Sequence, residues 1–289
     1  MKRSYTPYLL LLPFFVIMAL ILVSIWNVLL QSLGYIPAFG LTTLTLDYYK
    51  AVFQQEEFLS ALEVSLRIAL QSALLATMLG VLLCYALVKR GHSKGELLYL
   101  VRLPILMPHA VVAVFVISLF SQTGLFARIA YMLGFIIDFN QFPALLYTEN
   151  YGAAIAAYLW KEIPFVAYFV LALMSSISST LGEAAENLGA SPWRSFFQIT
   201  LPLSLPAALK AFLIIFIFAF GGYELPFLLG TTVPKALPVQ AYMAYTSPEL
   251  RDRPYAMAMN GVILFLSLAM ALLYALLTRK LLKQTGGRE

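Results

Sequence analysis

Six continuous apolar stretches constrain this chain more than any other feature, because each is long enough to cross a bilayer as a helix. Covering ~30 Å of hydrocarbon takes about 20 mostly apolar residues at a rise of ~1.5 Å each. The stretches fall at about 8–33, 61–88, 97–121, 151–175, 207–230 and 256–282. They are unbroken rather than alternating, which argues against a barrel. Composition agrees: 61% of the 289 residues are hydrophobic and only 11% are charged. An ordinary soluble domain carries roughly 25% charged residues, so this chain needs lipid to cover it. The reading is an all-α integral membrane protein of six transmembrane helices, with residues 1–289 forming one transmembrane domain.

The net charge of +5 comes from 19 basic and 14 acidic residues. These basic residues do not form a stripe on a soluble element, so nucleic acid is not an expected partner. They mark topology instead, since short cytoplasmic loops retain Lys and Arg. With the N-terminus inside, twelve basic residues lie on the cytoplasmic side, among them Lys2, Arg3, Lys89, Arg90, Lys94, Arg102 and Arg288. Six lie outside, including Arg67, Arg128 and Arg253. Both termini are therefore expected in the cytoplasm, with the 89–94 cluster as the strongest anchor. The first apolar run exceeds the ~7–15 residues of a signal-peptide core and reads as a retained span. The connections 34–60, 122–150 and 231–255 then face outward, where short interfacial helices and turns are expected. Cys84 is the single cysteine, so no internal disulfide forms, and no CxxC spacing suggests a metal.

The loop between the fourth and fifth spans, about 178–206, carries the most information. It reads Glu183-Ala184-Ala185-Glu186-Asn187-Leu188-Gly189, then nine residues, then Ile199-Thr200-Leu201-Pro202. Physically this describes two short helices and a joint. Thr180 and Glu183 have capping-box spacing, so a helix is expected to start there. Ala184 and Ala185 favour helix and keep its surface slim. Gly189 suits a left-handed terminator. Ser191 suits an N-cap, with Pro192 in the first helical position. Pro202 and Pro206 are expected to punctuate the entry to the fifth span. Leu188, Trp193, Phe196, Phe197 and Ile199 are costly to expose, so they call for a protein partner or for packing beneath the bundle.

This loop resembles the EAA loop of permease subunits in bacterial and archaeal ABC importers: E-A-A, three residues, G, nine residues, I, one residue, L-P. Every one of those positions matches. The runs Leu159–Phe165 and Gly221–Gly230 look like the spermidine/putrescine subgroup, whose relatives also handle ferric iron, thiamine, sulfate or aminoethylphosphonate. The resemblance implies a coupling helix seated in a groove of a cytoplasmic ATPase, with Glu183, Ala184, Ala185, Gly189, Ile199, Leu201 and Pro202 at the matching positions. An alternative role for Glu183 is capping alone. The implied assembly has two ABC ATPase subunits, a second permease subunit (a different chain, with a second copy of this one as the alternative), and an extracytoplasmic solute-binding protein. It sits in the inner or plasma membrane and imports a small polar solute, a polyamine first among the candidates. The chain has no G-x-x-x-x-G-K-[ST] phosphate loop, so ATP hydrolysis falls to another polypeptide, and no cofactor or catalytic residue is expected here.

Ionisable residues inside spans default to a functional reading. Lys161 and Glu162 lie in the fourth span just before Pro164. They point about 100° apart on a helix, so each needs its own partner. Glu224 lies between Gly221-Gly222 and Pro226, a composition that suggests a locally broken helix lining a cavity. Lys161, Tyr223 and Glu224 are the expected path-lining residues, against the alternative of structural pairs at the outer interface. His109, after Pro108, reads first as a helix-packing residue. Arg67 is expected to snorkel outward. An ion-coupled secondary transporter would use the same charges, but would show repeat symmetry and has no need of the 183–202 pattern. A membrane enzyme would need a converging catalytic set, which His92 and His109 do not supply.

Overall fold

The computed structural model describes residues 6–92 and 95–285; Lys2, Arg3, Lys94 and Arg288, used above for topology, lie outside them. Among the described residues the structure is helical without a named strand, apart from an isolated bridge between Ile36 and Leu41. In chain order the helices are α1 Thr6–Ser32, α2 Asp47–Phe53, α3 Glu56–Lys89, α4 Glu96–Leu106, α5 His109–Phe120, α6 Leu125–Met132 and α7 Gly152–Ile177. They continue with α8 Glu183–Asn187, α9 Pro192–Ser195, α10 Leu201–Phe220, α11 Glu224–Leu229, α12 Leu237–Thr246 and α13 Arg253–Thr285. Six segments of this series are long and apolar enough to span a membrane.

The chain divides into two units. The first holds residues 1–59 and 240–265. Its long helix α1 exposes Leu9, Leu10, Leu20 and Trp26 by more than half, as lipid-facing residues should be. Tyr49 donates its hydroxyl to Ser32 Oγ at 2.9 Å and lies against Gly261, where a Cβ would meet that hydroxyl at 2.1 Å. Ala256, Met257, Ala258 and Met259 are buried, and the alternating alanines allow close helix packing.

The second unit holds residues 60–239 and 266–289. Its core is small and aromatic: Ala69, Ala73, Ala76 and Cys84 from α3, Ala154, Ala157 and Tyr158 from α7, and Phe216 and Phe220 from α10. Small residues let helices approach closely where lipid offers no competing hydrophobic force. Gly80 shows this, since a Cβ there would lie 2.5 Å from Val166 Cβ. Arg67 reaches the 122–150 connection, its Nη2 donating to the Glu149 carbonyl at 2.5 Å.

The helices depart from the expected limits in three places. The third stretch is interrupted: Met107 is extended (ψ 132°) before Pro108, and a new helix begins at His109. The ring of Pro108 disfavours helical geometry at the residue before it, which accounts for the break. The fourth span does not stop near 175 but continues through a π-helical turn at Ser178–Gly182 into α8. The expected helix start at Thr180 is absent: its hydroxyl bonds back to the Ser176 carbonyl at 2.9 Å, as Ser and Thr do inside a helix. The fifth span, in turn, begins at Pro192 rather than 207. Pro202 and Pro206 lie inside it because the turn before Pro202, Phe196–Thr200, is widened into π geometry. That turn absorbs the missing N–H of Pro202.

Candidate functional site

Two constellations stand out in the second unit, one at the 178–206 loop and one among polar residues of the spans, of which Lys161 is buried and Glu224 exposed. The loop is a hairpin of two continuous helices. The first arm closes on Gly189, whose φ of +94° is left-handed. The Ala190 N–H reaches the Ala185 carbonyl and the Gly189 N–H reaches the Glu186 carbonyl, both at 3.0 Å. That pair of bonds is the Schellman arrangement, which satisfies carbonyls the helix end would otherwise leave open. Ser191 then caps the second arm, its Oγ accepting from the Arg194 N–H at 3.3 Å, with Pro192 following. The arms touch at Gly182, whose carbonyl accepts from the buried Ser195 Oγ at 3.2 Å.

Glu183, Ala184 and Gly189 are exposed, and Ala185 is half-buried. The apolar residues of the loop divide. Phe196 is buried and Ile199 partly so, whereas Leu188 is 90% exposed and Trp193 and Phe197 are each more than half exposed. Leu201 is half-buried and Pro202 exposed on the second arm. The hairpin therefore offers an apolar tip and the exposed Glu183 carboxylate to whatever lies beyond it.

Sequence reasoning missed the brace behind this loop. Lys89, at the end of α3, donates to both carboxylate oxygens of Glu186, at 2.7 and 2.5 Å. Four residues earlier, Tyr85 donates to the Pro192 carbonyl at 3.1 Å and lies on the Phe196 ring at 4.2 Å. Lys89 looked like a topology signal only. A partner 97 residues away leaves no local trace in the sequence.

The second constellation forms where two helices break. The Lys161 side chain is buried, and its Nζ donates to the Met107 carbonyl at 2.5 Å. That carbonyl is available because the chain is extended there and not continuing as a helix. His109, at the start of α5, places Nδ1 4.0 Å from Glu224 Oε2. Glu224 opens α11 after the interruption at Gly221–Tyr223, the break its glycines suggested. The His109 ring packs 5.1 Å from Phe218 and 5.9 Å from Tyr158. Tyr158 in turn approaches Gly222 so closely that a Cβ there would meet its hydroxyl at 2.2 Å. Tyr223 stacks on Phe227 at 4.9 Å.

Among the three expected path residues, then, Lys161 and Glu224 belong to one neighbourhood without an ion pair between them, and Tyr223 adjoins it. His109 links their surroundings, although its isolation in sequence favoured plain packing. The signal that pointed to it was Pro108, which breaks the helix and places His109 at a new N-terminus. Among the described residues no group of three or more His, Cys, Asp or Glu is placed to hold a metal ion.

Comparison with known proteins gives this geometry a context. The molybdenum transport system permease protein ModB of Haemophilus influenzae is 25% identical over 79% of this chain and 96% of its own. The sn-glycerol-3-phosphate transport system permease protein UgpA of Yersinia pseudotuberculosis is 33% identical over 75% of this chain and 74% of its own. A probable sulfate transport system permease protein of Marchantia polymorpha is 26% identical over 91% of this chain and 81% of its own. In fold, the chain superposes on a subunit of a bacterial ABC transporter involved in alginate import with a TM-score of 0.78, 24% identity and 96% coverage of both chains. Residues 76–283, which include both constellations, match the model for the inner membrane component of binding-protein-dependent transport systems, and the chain belongs to that family.

Proposed function

We propose that this chain is one of two permease subunits of an ATP-driven importer and that its 178–206 hairpin receives the stroke of a cytoplasmic ATPase. The observation that carries this reading is the exposed tip of the hairpin. Leu188 is 90% exposed at the end of a helix that the Gly189 turn fixes in place. A monomer has no use for such an apolar tip at the end of a membrane bundle, and a groove in a partner protein does. Glu183, Ala184 and Ala185 sit on the arm leading to it, and Ile199, Leu201 and Pro202 on the arm leaving it. Both arms continue without interruption into spans, so a push on the tip is delivered straight into the fourth and fifth helices. Orientation follows: the hairpin and both termini are cytoplasmic, and a different permease chain and an external binding protein complete the transporter.

Lys161, Tyr223 and Glu224 line the translocation path, with His109 beside them. The solute is small and polar. Relatives named for sulfate and for sn-glycerol-3-phosphate favour an anion over the polyamine that the sequence first suggested. Binding-protein-stimulated ATPase activity in liposomes tests the coupling role, using the complete transporter with this chain as wild type, Glu183→Ala or Gly189→Asp. Stimulation is expected in the wild type and should fall at least about tenfold in both variants, the effect of losing roughly 1.4 kcal/mol of coupling. Solute uptake that continues with no ATPase present would overturn the reading in favour of ion-coupled transport.

A further inference from the structure

A cavity of about 800 Å³ opens between α4 and the second half of α7, at the end of the bundle that carries the hairpin. Its walls are mostly apolar, with Phe165 and Phe169 prominent, and Ser175 and Ser176 line its hairpin end. Arg102 is the one charged residue in the lining. Its guanidinium lies over the Tyr168 ring at 4.3 Å and near the Tyr99 ring at 5.6 Å. Its Nε is buried and has no hydrogen-bond partner, and no acidic side chain among the described residues forms an ion pair with it. A guanidinium set over an aromatic ring in an apolar wall, with its Nε left without an acceptor, has the chemistry to receive an anion.

The cavity is also in line with the polar cluster. Tyr158, Glu162, Phe165, Phe169, Ala172 and Ser176 are spaced four, three, four, three and four residues apart, so they form one stripe along α7. The stripe starts at Tyr158, against His109 and Gly222, and ends at the hairpin. Its 18 residues of separation cover about 27 Å, close to one hydrocarbon thickness. The acids Glu162 and Glu224 stand at the far end with Lys161 and His109 near them. The cavity lining toward the hairpin carries one charge, the Arg102 cation.

We propose that this cavity is the hairpin-side segment of the translocation path and that Arg102 makes it selective for anions, so that the solute carried is an anion. The proposal rests on the importer reading but is tested without transport. In the complete transporter with Cys84→Ala, Ser176→Cys places a thiol in the cavity. Its modification rate is measured with the anionic sulfonatoethyl methanethiosulfonate and with the cationic trimethylammonioethyl analogue. The anionic reagent is expected to gain at least about tenfold relative to the cationic one, from the local concentration of counter-ions. Arg102→Gln should collapse that ratio toward one while Arg102→Lys retains most of it, and millimolar sulfate should slow the anionic reagent in the wild-type background only. A ratio unchanged by Arg102→Gln overturns the anion subsite. A thiol that resists both aqueous reagents yet reacts with a lipophilic maleimide overturns the path assignment, because lipid then fills the cavity. A thiol that resists all three overturns it too, with the second permease subunit as the occupant. In each case failure leaves the ATPase assay of the hairpin untouched, so the two readings fail separately.

Discussion

The hairpin and the polar cluster are built by opposite means. The hairpin is contiguous in sequence, exposed, and shaped by backbone chemistry at single residues: a left-handed glycine, a serine cap, a proline in first position. The cluster draws on the ends of α4, α5, α7 and α11, packs on the buried Tyr158 and Lys161, and depends on atoms meeting across helices. A surface joint must present a fixed shape to a partner and tolerates small losses. A close-packed membrane interior has no water to fill a mismatch, so its tolerance is measured in tenths of an ångström.

The largest predicted effect is therefore at Gly222. An added Cβ would lie 2.2 Å from the Tyr158 hydroxyl and 3.1 Å from the Phe218 carbonyl. Tyr158 is 1% exposed and has little room to withdraw. Gly222→Ala should destabilise the protein by about 2–3 kcal/mol, the range of overpacking, and abolish uptake. Adding Tyr158→Phe, which removes the clashing oxygen, should restore much of the melting temperature and of the uptake. If Gly222→Ala alone is as stable as the wild type, the contrast between a tight interior and a tolerant surface fails at its strongest point.

The next effect sharpens the comparison, because the brace gives the hairpin a long-range element of its own. Lys89 and Glu186 are each partly exposed, with side-chain exposures of 39% and 29%. Screening therefore limits the worth of the pair to about 1 kcal/mol or less in stability. Its larger consequence is positional, since it joins the end of α3 to a loop already continuous with α7 and α10. Lys89→Glu and Glu186→Lys should each lower stimulated ATPase activity by about fivefold, from like charges facing each other. The double exchange should recover to within about twofold of the wild type. Loss in the singles with no recovery in the double would assign Glu186 to the partner instead of the brace.

These two regions also differ in how far the sequence disclosed them. The six spans were legible because a bilayer demands long apolar runs, and the hairpin because Gly189, Ser191 and Pro192 each impose local geometry. The break at Gly221–Tyr223 could be read from its glycines. Two local signals misled. Thr180 with Glu183 had the spacing of a helix start, but the helix arriving from Ser176 was already there to continue. Pro202 and Pro206 had the composition of a boundary, but a single widened turn let the helix pass. Other features left no local trace at all: Lys89 meeting Glu186, Lys161 meeting a backbone carbonyl freed by Pro108, and His109 facing Glu224. Sequence reports what a residue does to its own backbone. It does not report which distant atom will be waiting.

The two smallest effects probe the tolerance of the hairpin itself. At Gly189 nothing lies within 4 Å of an added Cβ, so space is no obstacle and the cost of Gly189→Ala is conformational only. A left-handed residue with a Cβ costs roughly 1–2 kcal/mol, and asparagine tolerates the region better. At the lower end of that range stimulated ATPase activity should fall by about fivefold for alanine and by less for asparagine. Ser191→Ala removes a cap whose bond, at 3.3 Å, is long. Its cost should lie near the lower end of the ~0.5–2 kcal/mol range for caps, with stimulation reduced by about twofold. The order matters more than the sizes. If the Ser191 variant loses more coupling than Gly189→Ala, the start of the second arm fixes the tip, and the end of the first arm follows it.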